Sequence, residues 1–414
     1  MAAAMALLIR ARRLLEVRRG EMLPDPLVAV ADGRVREILP GAPAPDPSSG
    51  RRVLTFPDGC VLPGLVNTHL HLCAPSRGIP FHRPQSDHAA LRWAMRNART
   101  ELLSGVTTAR DCGDQNGVLF RLRRVAAAGV CRAPRLLLCG PPLTRPGGHA
   151  HFLGGAVRGP EGVAQAVRSH LAAGADFIKL IVTGGGTPGT DPARAYYDAG
   201  EIAAAVRTAH DCGRPVAAHC RGTPGIRLAT AAGVDHIEHA CFEQPDGRLR
   251  FDARVAAQMA AAGVAVTPTI QLYRDMLAAL EKKRLSTGLD AAERRLLARL
   301  PDTISRKFAA LREFRRFGIT CLAGNDAGLP HTGFGRLWRE LEAMTAGGLT
   351  PLEAIRSATL TAARALRLAG EAGSLAPGMP ADLIVVDGDP LKDIRALSRV
   401  RLVLQAGRVV TEQP

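Results

Sequence analysis

Aromatic residues and lysines are scarce in this chain of 414 residues. Phe, Trp and Tyr make up 4% of it, so there are few of the stacking platforms on which single-stranded nucleic acids bind. Only five of the 54 basic residues are lysines, and the arginines are spread along the sequence rather than clustered. The net charge of +16 therefore indicates a compositional preference for arginine, and no nucleic-acid partner is expected.

Long apolar runs and closely spaced cysteines are also missing. The longest apolar stretches reach about ten residues, whereas a membrane-spanning helix needs about 20. No two of the nine cysteines lie within four residues of each other, which excludes CxxC zinc and redox motifs. The first arginines follow the apolar run MAAAMALLI, the reverse of the order in a secretory signal. We therefore expect a cytoplasmic protein with reduced thiols and no membrane partner.

Apolar runs of strand length alternate with Ala- and Arg-rich helical patterns. The runs lie at 61–72, 105–111, 135–140, 176–182, 214–220, 234–240, 264–269 and 318–326. Alternation of strands and helices predicts an α/β fold with a parallel sheet. Eight such units over about 300 residues favour a closed (β/α)8 barrel of the TIM type over an open sheet.

The two ends of the chain have a different pattern. Short strands separated by turn residues occupy 1–61 and 366–414, and we expect these ends to pair into one small β-sandwich domain. The (β/α)8 barrel is predicted over 62–365. Residues 270–317 are charged, helical in pattern and longer than one return helix requires, so they are predicted to form a helical insertion in the barrel.

Two histidine pairs have the spacing that places both imidazoles on one face of a strand. His69 and His71 lie at the end of the first barrel strand, where the active sites of barrels are found. Neutral imidazoles suit zinc, so this pair predicts a metal site. His149 and His151 instead lie in a Gly- and Pro-rich loop after the third strand, and are interpreted as substrate contacts or as part of a solvated loop.

One lysine lies in the middle of an apolar run, while the other four lie in polar surroundings typical of surface cations. A buried amine is costly unless it is paired or chemically used, which makes Lys179 a candidate functional residue. His219 and His239 lie on the next two strands, and Asp326 ends the eighth. Each could be structural alone, but their convergence at one rim predicts a shared ion.

The residue types suggest a definite chemistry. Reaction with carbon dioxide would turn the Lys179 amine into a carbamate whose two oxygens can bridge two cations. Such cations lower the pKa of a bridging water from about 15.7 to near 7. Asp326 beside the resulting hydroxide can take its proton and pass it to a leaving amine.

Taken together, these motifs resemble the amidohydrolase superfamily. The matching segments are PGLVNTHLH, GVTTARDCG, DFIKLIVTGG, RPVAAHC, VDHIEHA, AGNDA and GSLAPGMPADLIVVDGDP. The chain is most similar to binuclear metal-dependent hydrolases with a carboxylated lysine, such as Xaa-Pro-type dipeptidases and ochratoxinase-like amidases. AGNDA stands where that family usually has GTDA, but the aspartate is retained.

The resemblance implies two divalent ions, expected to be zinc, and a bridging carbamate on Lys179. It places His69 and His71 around one ion together with Asp326. It places His219 and His239 around the other.

Two further residues are candidates for substrate contacts. The resemblance implies an aromatic residue near the scissile group, and Tyr197 is the candidate, with a plain surface tyrosine as the alternative. Arg110, at the end of the second strand, could hold a substrate carboxylate. The alternative for Arg110 is a buried structural pair with Asp111 or Asp114.

The expected activity is hydrolysis of a C–N bond in a small molecule such as a dipeptide or N-acyl amino acid. A metal-bridging hydroxide would attack, with Asp326 as the proton shuttle. One alternative is a cyclic-amide hydrolase or mononuclear deaminase, although a deaminase site needs no lysine. Another is a lactone or phosphotriester hydrolase. An inactive barrel scaffold predicts lost ligands, and none is lost. The resemblance also implies a homo-oligomer.

Overall fold

A computed structural model describes residues 7–43, 51–75 and 86–413 of the chain. The strands in these ranges are β1 Leu7–Glu16, β2 Glu21–Pro24, β3 Leu27–Ala31, β4 Arg34–Leu39, β5 Arg52–Pro63, β6 Leu65–Leu70, β7 Val106–Asp111, β8 Arg135–Leu138, β9 Ile178–Ile181, β10 Val216–Gly222, β11 His236–Glu243, β12 Ala265–Thr267, β13 Leu383–Asp387, β14 Val400–Gln405 and β15 Arg408–Glu412. The α-helices are α1 Asp87–Leu103, α2 Val118–Ala127, α3 Pro160–Ala172, α4 Ala199–Asp211, α5 Thr223–Ala232, α6 Ala253–Ala261, α7 Gln271–Ser286, α8 Ala291–Arg316, α9 Leu337–Ala346, α10 Pro351–Ser357 and α11 Leu360–Ala365.

Strands from both ends of the chain form one mixed sheet of eight strands. Its order is β15-β14-β13-β5-β1-β3-β4, with β2 paired to β1. β5 joins the two ends because it pairs parallel with β1 and antiparallel with β13. The sandwich form and the domain limits remain predictions. Residues 1–6, 44–50 and 414 of the predicted terminal domain lie outside the described residues.

Two parallel sheets, β6-β7-β8 and β12-β11-β10-β9, make the rest of the protein an α/β fold. Backbone hydrogen bonds connect their edges on both sides. Leu143 N donates to Lys179 O at 2.8 Å, and Thr68 N donates to Ala323 O at 2.9 Å. The predicted eighth strand, 318–326, takes part only in isolated parallel bridges. Cys321 bridges to Val266 in β12, and Ala327, just past the end of the predicted strand, bridges to Leu70 in β6.

The parallel strands are buried on both faces, which is why their sequences are continuous apolar runs. Every residue of β6, β7 and β9 is buried. Some of these buried residues are polar or charged, notably Asn67, His69, Arg110 and Lys179. Apolar packing does not account for them, because a buried polar group is costly unless it has a partner.

The carboxyl end of β11 departs from regular strand geometry. His239, Ala240 and Phe242 have φ values of +71°, +42° and +53°, in the left-handed region that costs a non-glycine residue about 1–3 kcal/mol. The pairing of β11 with β10 shifts register at the same place. Such a bulge re-aims side chains. As a result, Glu238 and His239, which are adjacent in sequence, both approach the ring of His69.

The predicted helical insertion contains α7 and α8, which pack against each other through Leu280 and Leu300. The Glu340 carboxylate accepts hydrogen bonds from the backbone N–H groups of Ile270 and Gln271 at 2.9 and 2.5 Å. A carboxylate there satisfies otherwise unpaired N–H groups and complements the helix dipole. It therefore fixes where α7 begins. Among the described helices, none is both long and apolar enough to traverse a bilayer.

Gly324 permits the close approach of residues 318–326, the predicted eighth strand, to β6. A Cβ atom there would lie 2.7 Å from both N and Cβ of His69. Gly324→Ala is therefore expected to destabilise the protein by about 1–3 kcal/mol, measured by urea unfolding. Gly333→Ala is the control, because its Cβ would meet nothing closer than 3.9 Å. Equal unfolding midpoints for the two variants would contradict the argument.

Candidate metal centre and active site

The six predicted metal-site residues lie around one cavity of about 390 Å³. They are His69, His71, Lys179, His219, His239 and Asp326. His69 lies in β6 and His71 just after it, while Lys179, His219 and His239 lie in β9, β10 and β11 and Asp326 follows Cys321. Residues up to 257 positions apart in sequence therefore meet at one rim. All but His71 are buried. The structure therefore brings together the whole set that the sequence nominated.

Three acceptor atoms converge at the centre of this group. Asp326 Oδ1 lies 3.3 Å from His69 Nε2 and 3.2 Å from His71 Nε2. The other ring nitrogens have different neighbours: His69 Nδ1 lies 2.7 Å from a Glu238 carboxylate oxygen, and His71 Nδ1 lies 3.1 Å from Gly113 O. A carboxylate or carbonyl oxygen only accepts, so both Nδ1 atoms carry the proton. Both Nε2 atoms then face Asp326, as lone pairs when the rings are neutral and as N–H donors when the rings are protonated.

This arrangement fits a cation. When the two rings are neutral, the three atoms are all acceptors, and acceptors at such distances repel unless a positive charge lies between them. Potential ligand atoms of His69, His239 and Asp326 all lie within 4.8 Å of one another. In addition, Asp326 Oδ1 and Lys179 Nζ are buried and have no hydrogen-bond partner among the described residues.

The two histidines on the far side are neutral. Burial lowers the pKa of both His219 and His239 well below the usual value, so each ring keeps a lone pair at neutral pH. Their ring centroids are 4.5 Å apart. His219 Nε2 lies 3.1 Å from Gly184 O and donates to it, which leaves Nδ1 as the atom able to bind a metal.

Glu238 is a buried carboxylate that the sequence analysis missed. It accepts hydrogen bonds from His69 Nδ1 at 2.7 Å and from Arg110 Nη2 at 2.5 Å. Burial alone would raise the pKa of Glu238, but the charges of Arg110 and Lys179 and the hydrogen bond from His69 together outweigh it and hold that pKa well below its usual value. The residue is therefore an anion that fixes the tautomer of His69. Only the adjacency of Glu238 to His239 in VDHIEHA could have signalled it.

The position of Arg110 corrects its prediction as a substrate contact. Its side chain is 1% exposed, pairs with Glu238 and also donates from Nε to Thr68 O at 2.6 Å. It is not among the described residues that line the cavity. Arg110 does form a buried ion pair, as the alternative prediction stated, but its partner is Glu238 rather than Asp111 or Asp114.

Tyr197 and His151 also lie away from the cavity. The Tyr197 hydroxyl donates to Val157 O at 3.1 Å, and the ring packs in an apolar cluster with Val163 and Ile202. The His151 side chain is exposed, and its Nδ1 lies 2.8 Å from Gly148 O. Neither side chain is placed to contact a molecule in the cavity, which corrects both predictions.

His149, in contrast, lines the cavity. Its ring centroid lies 4.7 Å from that of His219. Burial lowers the pKa of His149 to about 3, so its imidazole is neutral. Its Nδ1 accepts a hydrogen bond from the backbone N–H of Thr187 at 3.3 Å, which assigns the proton to Nε2.

Sequence reasoning missed the residues of the cavity that come from the helical insertion and its neighbours. Arg221 and Tyr273 line the cavity. Behind them lies Lys307, which was expected on the surface but is 4% exposed. Its Nζ is 3.4 Å from Cys241 Sγ and 4.9 Å from the centre of the Tyr273 ring. The polar sequence around Lys307 belongs to an amphipathic helix, α8, whose buried face it shares with Leu311.

Comparison with known proteins gives the family. A sequence profile described as the amidohydrolase family matches residues 60–410. The chain belongs to that family. This amidohydrolase is therefore a hydrolytic enzyme, as the motifs predicted.

Known proteins similar to this amidohydrolase include two peptidases and an amidase. A solved Xaa-Pro dipeptidase with methionine bound in its active site is 28% identical, with a TM-score of 0.85 over 98% of this chain and 99% of that one. A solved prolidase in complex with N-methylphosphonate-L-proline is 27% identical, with a TM-score of 0.81 over 99% and 100%. Ochratoxinase of Aspergillus niger is 26% identical over 378 residues, 83% of this chain and 73% of that protein.

The buried Arg110–Glu238 pair gives a prediction about stability. Arg110→Met leaves the Glu238 charge uncompensated inside the protein, which costs about 3–5 kcal/mol. The double variant Arg110→Met/Glu238→Gln removes that charge and is expected to regain most of the loss, measured by urea unfolding. Arg395→Met is the control, because it removes an exposed arginine that pairs with Glu342. A double variant no more stable than the single one would contradict the explanation.

Proposed function

We propose that this amidohydrolase is a metal-dependent enzyme that cleaves the amide bond of a dipeptide or N-acyl amino acid. The observation that carries the proposal is the convergence of three acceptor atoms, from His69, His71 and Asp326, beside a buried lysine amine without a partner. Divalent cations suit this arrangement because imidazole nitrogens and a carboxylate oxygen are all metal ligands.

The donor set divides between two cations. His69, His71 and Asp326 would hold one, and His219 and His239 would hold the other. Imidazoles and a carboxylate suit zinc. When bound, such ions would polarise the scissile carbonyl and lower the pKa of a water molecule to near neutrality.

Lys179 would bridge the two ions as a carbamate. A protonated amine is a poor ligand, and a cation at this position would be buried beside two further cations. Carboxylation would replace the amine with an anion, a form suited to hold divalent cations. The support for this step is that Lys179 Nζ is buried on the inner face of β9 and has no partner in the described part of the chain.

The remaining steps belong to side chains. Asp326 takes a proton from the attacking water and gives it to the leaving nitrogen. His149 is neutral with its proton on Nε2, so it is suited to donate a hydrogen bond to the carbonyl oxygen as negative charge develops there. Glu238 keeps the His69 ring in the tautomer that presents Nε2 to the site.

The size of the cavity and the relatives support the substrate class. A volume of about 390 Å³ suits a small molecule of dipeptide size. Methionine and N-methylphosphonate-L-proline, the molecules bound by two of the relatives, both carry a free carboxylate. We therefore include a free carboxylate in the proposed substrate.

The same proposal covers the architecture. The two parallel sheets, linked at both edges by backbone hydrogen bonds, would form a (β/α)8 barrel over 62–365 with a helical insertion at 270–317. The segments 1–61 and 366–414 would form the second, β-sandwich domain. This division puts every proposed metal ligand on the barrel.

Metal content and Lys179 provide the test. Protein purified without chelators is expected to hold about two divalent ions per chain by plasma mass spectrometry. Lys179→Ala is expected to lose metal and hydrolysis of N-acyl amino acids together, with activity returning in added short carboxylates that replace the carbamate. Lys392→Ala, at an exposed lysine, is the matched control.

Two results would count against the proposal. Unchanged metal content and turnover in Lys179→Ala would remove the bridging role of the lysine. Wild-type protein that takes up no metal in bicarbonate buffer would remove the metal-dependent mechanism altogether.

A further inference from the structure

A buried thiol and a buried amine are in contact behind one wall of the cavity. Cys241 lies in β11 and Lys307 lies in α8, and each is 4% exposed. Lys307 Nζ is 3.4 Å from Cys241 Sγ. The helical insertion therefore meets the strand that carries His239 through two side chains that can react with each other.

The Lys307 amine has no acidic partner. Among the described residues it forms no ion pair with a carboxylate, and its other contacts are His239 O at 3.4 Å and the face of the Tyr273 ring. A distance of 3.4 Å is longer than a usual hydrogen bond. A buried amine is costly unless it is paired or chemically used. The contacts of Lys307 therefore leave its amine available for chemistry.

The choice of lysine at this position is a second, independent observation. The chain has 49 arginines and five lysines, and of the five only Lys179 and Lys307 are buried. Arginine would also supply a positive charge, but its guanidinium stays protonated and is not a nucleophile. A lysine amine can lose its proton and react. Lysine at both buried positions is consistent with use of the amine at each.

The bend in β11 places the thiol between α8 and the cavity. Ala240 and Phe242, on either side of Cys241, have left-handed φ values of +42° and +53°. Cys241 Sγ lies 3.7 Å from the Tyr273 hydroxyl, and Tyr273 lines the cavity. An oxidant little larger than water that enters the cavity therefore has one side chain to pass. Cationic neighbours such as Lys307 are typical of cysteines that react with peroxides.

We propose that Cys241 and Lys307 form a site of oxidative modification, at which a peroxide cross-links the thiol to the amine. In the first step the sulfur attacks hydrogen peroxide, the O–O bond breaks, and a sulfenic acid and water form. In the second step the neutral Lys307 nitrogen attacks the sulfur and the S–O bond breaks. The hydroxyl leaves as water with one amine proton, and an S–N bond remains. The peroxide is reduced by two electrons and the sulfur is oxidised by two.

This link would join the insertion to β11 across 66 positions in sequence. The flexible four-carbon chain of Lys307 allows Nζ to close the remaining distance to the sulfur. A thiol such as dithiothreitol would reverse the link, because it attacks the sulfur and releases the amine. The modification requires no turnover, so it is independent of the proposed function.

Peptide mapping after peroxide treatment is the first test. Protein purified without chelators is exposed to hydrogen peroxide, its remaining thiols are alkylated, and it is digested with trypsin. Trypsin does not cleave after a modified lysine, so the expected product joins residues 228–248 to residues 307–312. It is expected to be about 2 Da lighter than the two reduced peptides together, because two hydrogens are lost, and to disappear after dithiothreitol.

Three variants identify the reacting groups. Lys307→Arg keeps the positive charge without a nucleophilic amine, so it is expected to give no linked peptide and about 5-fold more sulfinic acid at Cys241. Cys241→Ser is expected to leave residue 307 unmodified. Cys321→Ser is the matched control and is expected to retain the link. Burial raises the pKa of Cys321 to about 12, and its Sγ contacts Ile319 O rather than an amine.

Urea unfolding gives a measurement that does not depend on peptide recovery. A link between residues 66 positions apart restricts the unfolded chain. Peroxide-treated wild-type protein is therefore expected to unfold at a higher urea concentration than the same sample after dithiothreitol. Peroxide-treated Lys307→Arg is expected to show no such difference.

Two results would overturn the proposal. One is recovery of Cys241 from peroxide-treated wild-type protein only as the free thiol or as sulfinic acid, with residues 307–312 in no linked product. The other is a link from Lys307 to a different cysteine. A linked product about 14 Da heavier than the reduced peptides would support the same two residues as the site. It would place an oxygen atom from a second peroxide between the sulfur and the nitrogen.

Discussion

The buried carboxylate of Glu238 is the group on which the rest of the site depends. It lies on β11 and accepts hydrogen bonds from Arg110 and from His69. Arg110 compensates its charge, and this charge in turn fixes the proton of His69 on Nδ1. The other ring nitrogen, Nε2, therefore points at Asp326. A change to either partner affects both the stability of the interior and the orientation of a proposed metal ligand.

The bulge at the end of β11 is the second constraint. In a regular strand, Glu238 and His239 would project to opposite faces. The left-handed residues from His239 onward let one side chain support His69 while the other enters the cavity. Lys307 reaches the same bulge through His239 O, so α8 of the insertion contacts the strand where its geometry is least regular. The insertion thus both supports the site and supplies one wall of the cavity.

The candidate metal residues were predictable because their positions follow from a simple rule. Parallel strands present their carboxyl ends at one edge, so polar residues at those ends must meet. Lys179 and Asp326 stood out because each ends or interrupts an apolar run. Arg110 lies near the end of β7 and Tyr197 in the loop before α4, but their side chains turn toward the protein interior, where Thr68 O and Val157 O accept their hydrogen bonds. The position of a residue in the sequence does not reveal whether its side chain turns toward the cavity or toward the protein interior.

The sequence by itself determined the alternation of strands and helices, the family, and the set of histidines, lysine and aspartate at one rim. These follow from local sequence patterns, namely the spacing of apolar residues along strands and helices and the residue types at strand ends. Only the tertiary structure decided which charges are paired. Arg110 pairs with Glu238, 128 positions away, and Lys307 is buried against Cys241, 66 positions away. Such contacts depend on how strands and helices pack, and a local sequence pattern carries no record of a partner so distant.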